Sequence, residues 1–262
     1  LLVKMKRGEL RPRLVVSLRR VHGHDRMVAS VDRGLSLGPL CTMSRLERSP
    51  LLTRSWAAIA DGAAVVGGPL IRNRATIGGN VINARPCADT VSPLIALGAE
   101  LELTSAARGM RQLPIDGFIK GPGQPDLAPG EILTGIHLPL AARGTSLGSA
   151  YRTVRRRAAM EVTVAGVAAA VVLDAEGQIV LARVVLTSVA PVLLRVAPVE
   201  ELLAGRAPTP ELLAEAGRVA RAEAHPIDDH RAPGEYRSEA VEVLTRRALA
   251  AAVERAGEGG EA

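Results

Sequence analysis

A chain of 262 residues with 47% hydrophobic content has apolar surface enough for one large core or two ordinary ones, which argues against disorder. The formal charge is +6, but the basic residues are almost all arginine spread along the chain and aromatic residues make up only 2%, too few stacking platforms for a nucleic-acid binder. No apolar run approaches the roughly 20 residues of a membrane span, and the opening LLVKMKRGELRPR is charged too early for a signal peptide, so a cytoplasmic protein is expected.

From Leu14 to Leu18 a run of leucine and β-branched residues predicts a strand, and 34–40 a further extended piece before a short helix over 43–48. Pro50 opens a longer helix, because Leu52, Trp56, Ile59, Ala60 and Ala63 recur at helical spacing between Leu51 and Ala64. From Gly67 to Asp89 glycine, proline and asparagine are frequent and periodicity is lost, so a long, ordered, irregular stretch is expected. Such stretches inside compact domains are usually functional. A helix over 90–97 and strands over 99–104, 109–113 and 131–138 complete an α+β domain, residues 1–142.

Small and polar residues over 141–146 read as a linker to a second unit, residues 147–256. Strands over 147–154, 167–174 and 179–188, with a hairpin turn at Ala175-Glu176-Gly177-Gln178, predict a three-stranded antiparallel sheet. Thr209, Pro210 and Glu211 supply the cap, first-turn proline and acidic first turn of a helix to about Ala224. Ser238 and Glu239 open a last helix to Ala256, and the tail 257–262 is expected to fray.

The chemistry concentrates in Thr76-Ile77-Gly78-Gly79-Asn80. Two adjacent glycines let backbone approach a ligand closely and turn N–H groups toward an anion such as a pyrophosphate. Thr76 adds a hydroxyl, Asn80 an amide, and Asp89 a carboxylate able to accept hydrogen bonds from sugar or ribityl hydroxyls. An isolated pair of glycines more often is a plain turn between two core elements, so the longer string has to decide.

That string, Ile71 to Leu103 (IRNRATIGGNVINARPCADTVSPLIALGAELEL), resembles the second FAD-binding loop of the flavoprotein (medium) subunits of molybdenum hydroxylases, the xanthine dehydrogenase and carbon monoxide dehydrogenase family. The likeness continues through Asp116 to Gly123, Leu127 to Thr134 and Ala150 to Ala158. It returns in Val189-Ala190-Pro191, in Glu201 to Gly205 and in Pro226 to Arg231 with Tyr236-Arg237, and so covers nearly the whole chain. The resemblance implies a vanillyl-alcohol-oxidase-like (PCMH-type) FAD-binding domain followed by a cap domain of the carbon monoxide dehydrogenase flavoprotein type. It implies that Gly67, Gly68 and Ile71 line the cofactor path, that Thr76, Gly78, Gly79, Asn80 and Asp89 bind FAD, and that Leu133 offers backbone contact near the isoalloxazine ring. No GxGxxG occurs, in keeping with a fold that is not of the Rossmann type.

The same resemblance implies partners: a large subunit with the molybdopterin cofactor and a small subunit with 2Fe–2S clusters, assembled as heterotrimers. Electrons would pass through FAD to NAD+ or another acceptor, and no residue of this chain would be catalytic. In the family an AGGTD-like loop stands directly before the stretch matching Leu1 to Lys6, so an amino-terminally truncated domain is expected. A flavin-free assembly module of the same complex is the alternative. Departures from the family pattern are Arg85 for serine, Thr153 for lysine and Val66 for an aromatic ring.

Other motifs carry less. Gly144-Thr145-Ser146-Leu147-Gly148 has the GxSxG spacing of a nucleophile elbow but lies in the predicted linker, without the strand before it that an elbow needs. The five histidines form no HExxH motif and read as surface or satisfied side chains, Asp228-Asp229-His230 reads as a polar loop, and Cys41 and Cys87 encode neither a disulfide framework nor a metal site. Arg155-Arg156-Arg157 reads either as a solvated turn or as an anion contact.

Overall fold

The computed structural model describes residues 2–258. A short helix, α1 (Leu2–Lys6), leads into chain whose one regular feature before residue 27 is a 3-10 turn at Leu18–Arg20. The strand predicted over Leu14 to Leu18 does not form: Leu14 is 76% and Val16 68% exposed, and no strand lies beside them among the described residues. A β-prone run becomes a strand only where a neighbour accepts its hydrogen bonds.

The first half then builds β1 (Met27–Ser30), β2 (Gly34–Leu37), α2 (Met43–Glu47), α3 (Ala57–Val65), α4 (Pro69–Arg72), α5 (Ile77–Asn83) and α6 (Val91–Ala96). After these come β3 (Glu100–Ser105), β4 (Gly109–Pro114), the small pair β5 (Ile119–Gly121) and β6 (Gln124–Pro125), and β7 (Ile132–Leu138). The α-helix expected from Leu51 starts only at Ala57, after a 3-10 turn at Arg54–Trp56, because Arg54 takes a left-handed backbone (φ 45°) that a right-handed α-helix cannot continue through. The stretch from Gly67 to Asp89, expected to be irregular, holds two short helices, α4 and α5; Pro69 at the start of one and the Thr76 cap on the other outweigh the poor helix propensity of glycine.

Five strands form one antiparallel sheet in the order β1-β2-β7-β3-β4. Alternation puts Leu101 and Leu103 of β3 into the core and Glu102 and Thr104 on the other face. In β7 strict alternation would bury Leu133 and expose Ile136. The register shifts between Glu102 and Leu103, and this bulge re-phases the strand so that Leu133, Ile136 and Leu138 are all buried. Each such fully buried side chain stabilises the fold by about 1.5–3 kcal/mol.

The second half forms β8 (Ser146–Val154), β9 (Ala165–Leu173), β10 (Ile179–Thr187) and β11 (Leu194–Arg195), ordered β11-β10-β9-β8. The sheet thus has the three long strands expected plus a fourth of two residues, and Ser146, read as linker, already belongs to β8. Helices α7 (Ala197–Leu203), α8 (Pro210–Glu223) and α9 (Gly234–Gly257) follow; α7 was not predicted, and α9 starts at Gly234, ahead of the expected Ser238. Gly257, expected to fray, closes α9, and residues 259–262 of the predicted tail lie outside the described residues.

β9 explains how the halves join. Its Ala168 and Ala170 belong to the core of the first sheet and its helices, while Val167, Ala169 and Val171 belong to the core under α8 and α9. A strand buried on both faces reads as a continuous apolar run, and small side chains let both layers approach. Gly148 of β8 serves the same purpose, since a Cβ there would lie 2.1 Å from the Ala252 carbonyl of α9.

Candidate cofactor site

Thr76 caps α5: its hydroxyl accepts the Gly79 N–H at 3.1 Å from an extended backbone (φ −116°, ψ 156°). The Gly78 N–H goes to the Pro39 carbonyl at 2.9 Å and the Ile77 N–H to the Cys41 carbonyl at 3.0 Å. The glycine N–H groups, expected to face a diphosphate, are therefore committed within the protein. Packing accounts for the first glycine, because a Cβ on buried Gly78 would come within 2.6 Å of Pro39. Gly79 is exposed, and apart from the Thr76 hydroxyl at 3.1 Å a Cβ there would meet open space.

That open space is a cleft. A cavity of about 440 Å³ lies beside Thr76, Gly78 and Gly79, walled by Leu40, Ile82 and, across from α5, Ile132 and Leu133 of β7. A second cavity of about 680 Å³ shares Val21, Leu40 and Thr76 with it and is lined by Arg19, Arg20, Arg26 and Arg74. Together they offer an apolar end and a cationic end joined at Thr76. The basic lining was not singled out from the sequence; the only signal for it is the density of arginine and histidine over 19–26.

The other expected residues lie elsewhere. Asn80 turns its side-chain oxygen to Thr90, accepting from the hydroxyl at 2.7 Å and from the N–H at 3.4 Å, which ties α5 to the turn carrying Asp89. Asp89 is buried, and one carboxylate oxygen accepts from Tyr151 at 2.7 Å and from Thr163. Burial pushes the Asp89 carboxyl above its ordinary range, opposed by the hydrogen bonds from Thr163 and Tyr151. Burial first, and then the Asp89 charge, raises the Tyr151 phenol well above its ordinary range. Gly67 (φ 52°) accepts the Met160 N–H at 3.1 Å, Gly68 packs under the Met160 sulfur, and Ile71 is partly exposed on α4. Thus Thr76, Gly78, Gly79 and Leu133 share the cleft, while Gly67, Gly68, Ile71, Asn80 and Asp89 do not line it.

The remaining motifs resolve as structure. Arg157 pairs with Glu161 at 3.0 Å, Arg155 donates to the Val65 carbonyl and Arg156 to the His230 carbonyl. Asp228 and Asp229 accept backbone N–H groups of their own loop, and no metal-binding group of three ligands occurs among the described residues. Burial raises the thiols of Cys41, to about 11, and Cys87, which leaves both protonated and poorly nucleophilic at neutral pH. No helix among the described residues is long and apolar enough to cross a membrane.

Residues 1–141 match the family described as FAD binding domain in molybdopterin dehydrogenase, and residues 149–252 match CO dehydrogenase flavoprotein C-terminal domain. The chain belongs to the FAD-binding subunits of the molybdenum hydroxylases. This flavoprotein subunit is 31% identical over 226 residues to the putative xanthine dehydrogenase FAD-binding subunit of Escherichia coli K12, covering 86% of this chain and 76% of that one. To the carbon monoxide dehydrogenase medium chain of Hydrogenophaga pseudoflava it is 33% identical, over 82% and 74% of the two chains. In structure it resembles the carbon monoxide dehydrogenase of Hydrogenophaga pseudoflava at a TM-score of 0.87 and 29% identity, covering 97% of this chain and 87% of that one. Quinoline 2-oxidoreductase from Pseudomonas putida 86 gives 0.86 at 25% identity, over 97% and 87%. The α+β architecture of sheets and helices and the oxidoreductase class of this flavoprotein subunit agree with those relatives.

Proposed function

We propose that this subunit holds FAD in the cleft between α5 and β7 and passes electrons from the 2Fe–2S clusters of a partner subunit to NAD+ or another acceptor. Bound FAD would supply the redox chemistry, and a large partner subunit would carry the molybdopterin cofactor. The observation that carries the reading is the cleft itself, apolar along Ile132 and Leu133 and cationic beyond Thr76. An extended molecule with a flat ring system at one end and phosphates in the middle matches that polarity.

Within this reading the chain does four things. Leu40, Ile82 and Leu133 exclude water from the ring. Gly79 keeps the wall bare where the ligand passes. Thr76 fixes the start of α5, and the Asn80–Thr90 bond locks α5 against the Asp89 turn. Gly67, Gly68, Ile71 and Asp89 contribute at the far side of the same ligand, in a PCMH-type arrangement of residues 1–142 capped by residues 147–256.

The test is direct. The chain is expressed with its presumptive partners, the complex is denatured, and the released chromophore is identified by chromatography. FAD in the supernatant, with flavin absorbance that bleaches on adding substrate to the intact complex, supports the proposal. Absence of FAD from a folded complex supports the flavin-free assembly module in its place.

A further inference from the structure

Two hydroxyl groups from the second half of the chain close on a carboxylate of the first. Tyr151 of β8 donates to Oδ1 of Asp89 at 2.7 Å, and Thr163, just before β9, donates to the same oxygen. The Thr153 hydroxyl stands 3.1 Å behind that of Thr163. Glycines make room for the contact. A Cβ on Gly166 of β9 would lie 2.3 Å from the Tyr151 hydroxyl oxygen, and one on Gly62 of α3 would lie 2.3 Å from the Asp89 carbonyl oxygen. Among the described residues no group donates to the second carboxylate oxygen, Oδ2, and it is not one of the sealed polar atoms, so it stays open to a ligand.

No cation is paired with Asp89 among the described residues. Arg155, whose charge favours an ionised Asp89, turns its guanidinium to the Val65 carbonyl at 3.2 Å. Arg152 is spent on Asp61 at 3.1 Å, and Arg231 and Arg237 on Asp229. Burial keeps the neighbouring Cys87 thiol and the Tyr151 phenol protonated. Asp89 itself is only 8% exposed, and burial outweighs its two hydroxyl donors and pushes its carboxyl up. An ionised Asp89 would leave a desolvated charge on Oδ2 with no partner. The neutral acid accepts both hydroxyls on Oδ1 and keeps its proton on Oδ2, ready to donate.

We infer that Asp89 meets FAD as the neutral acid, its Oδ2–H donating a hydrogen bond to an acceptor atom of the cofactor, with Tyr151 and Thr163 as positioning residues that hold Oδ1 in place. The inference rests on the FAD reading above and reverses the role expected of Asp89 from sequence, a carboxylate that accepts from sugar or ribityl hydroxyls. The contact needs the proton, so FAD affinity is full below the elevated folded value of this carboxyl and falls above it, by up to about tenfold per pH unit. An ionised acceptor gives the opposite sign, with affinity gained as pH rises.

The full chain, freed of bound flavin, is titrated with FAD from about pH 5 to about pH 9 as wild type, Asp89→Asn, Asp89→Ala and Tyr151→Phe. Asparagine carries an accepting oxygen and a donating N–H, so Asp89→Asn should bind FAD within about threefold of the wild type at the acid end and stay flat across the range. Asp89→Ala should bind about fivefold or more weakly than wild type at the acid end, the size of a lost hydrogen bond. Tyr151→Phe removes a donor that favours the ionised form, so the midpoint of the decline should move to higher pH, which a purely structural defect would not do. Without FAD, the infrared difference between wild type and Asp89→Asn at about pH 5.5 should show a carboxylic-acid carbonyl band, at a pH where an ordinary aspartate is ionised. Absence of that band, or wild-type affinity that holds or rises with pH while Asp89→Asn binds about tenfold more weakly, overturns the donor and leaves the FAD reading standing. A folded wild type that binds no FAD at any pH overturns both.

Discussion

Asp61 on α3 and Arg255 on α9, 194 residues apart in sequence, meet at 2.8 Å. The same carboxylate accepts the Tyr151 N–H at 3.0 Å and the Arg152 guanidinium at 3.1 Å, so a single side chain joins the first helical layer, β8 and the last helix. Substituting Asp61→Ala leaves the Tyr151 N–H without its acceptor and strips the counter-charge from Arg152 and Arg255, which keep only the carbonyls of Tyr151 and Ser149, at a cost of about 2–4 kcal/mol. Urea unfolding checks this. A change below about 0.5 kcal/mol, the level of an ordinary surface substitution, sinks the idea.

The two glycines of the turn should separate under substitution. Gly78→Ala forces a methyl into the Pro39 ring and backbone and should cost about 1–3 kcal/mol, as overpacking does. Gly79→Ala meets only the Thr76 hydroxyl, at 3.1 Å, and should stay within about 1 kcal/mol of wild type because alanine favours the helix. Its methyl projects into the cleft, so the expected loss is in FAD retained per chain, read by absorbance after purification. Equal stability losses in both variants would contradict the packing account.

How far this was legible from sequence follows from which interactions are local. The strand read over 167–174, which forms as Ala165–Leu173, and the capped helix at Thr209 are legible because an apolar run and a cap are both set within a few residues. Leu14 to Leu18 has strand composition, but pairing is settled by a neighbour distant in sequence, and there is none beside it among the described residues. Thr76-Ile77-Gly78-Gly79-Asn80 was recognised as special, yet the partners that use up its N–H groups, Pro39 and Cys41, come from another element. Likewise Arg74 stands far from Arg19 along the chain, and the shared cavity exists only once the segment between α4 and α5 and the 3-10 turn are folded around it.

Asp89 predicts a pH dependence whose sign is fixed by burial. Its carboxyl is raised on folding, so the folded state binds the proton more tightly than the unfolded chain does. Stability is therefore greatest below the unfolded carboxylate range, near 3.8, and declines as pH rises through the elevated folded value. Asp89→Asn keeps an oxygen to accept from Tyr151 and Thr163 and removes the buried charge. The variant should equal or exceed wild type in stability at neutral pH, with the difference vanishing toward acid. Asp89→Ala, which orphans both hydroxyls, should lose about 2–4 kcal/mol. Thermal melts of the three proteins across pH test the order, and wild type more stable than Asp89→Asn at neutral pH would refute it.

The opposite sign is expected at Asp229. Backbone N–H groups of Arg231 and Ala232 and the guanidinium of Arg237 outweigh the effect of burial and hold its carboxyl well below the ordinary range. Arg237 is only 3% exposed; it donates to the Val164 carbonyl at 2.7 Å and to Asp229 at 2.7 Å, fastening the loop before α9 to the end of β9. The stability from Asp229 is present above the unfolded carboxylate range and is lost as pH falls through the depressed folded value. Asp229→Asn leaves a buried guanidinium without its counter-charge. The cost should be about 2 kcal/mol, less than for a wholly buried pair because 23% of the Asp229 side chain remains exposed. Denaturation midpoints from neutral pH down to about pH 4 should keep that gap constant, with narrowing only at lower pH. A gap that already closes between pH 7 and 5 would mean the carboxyl is not depressed, and that Arg237 is held by the carbonyls alone.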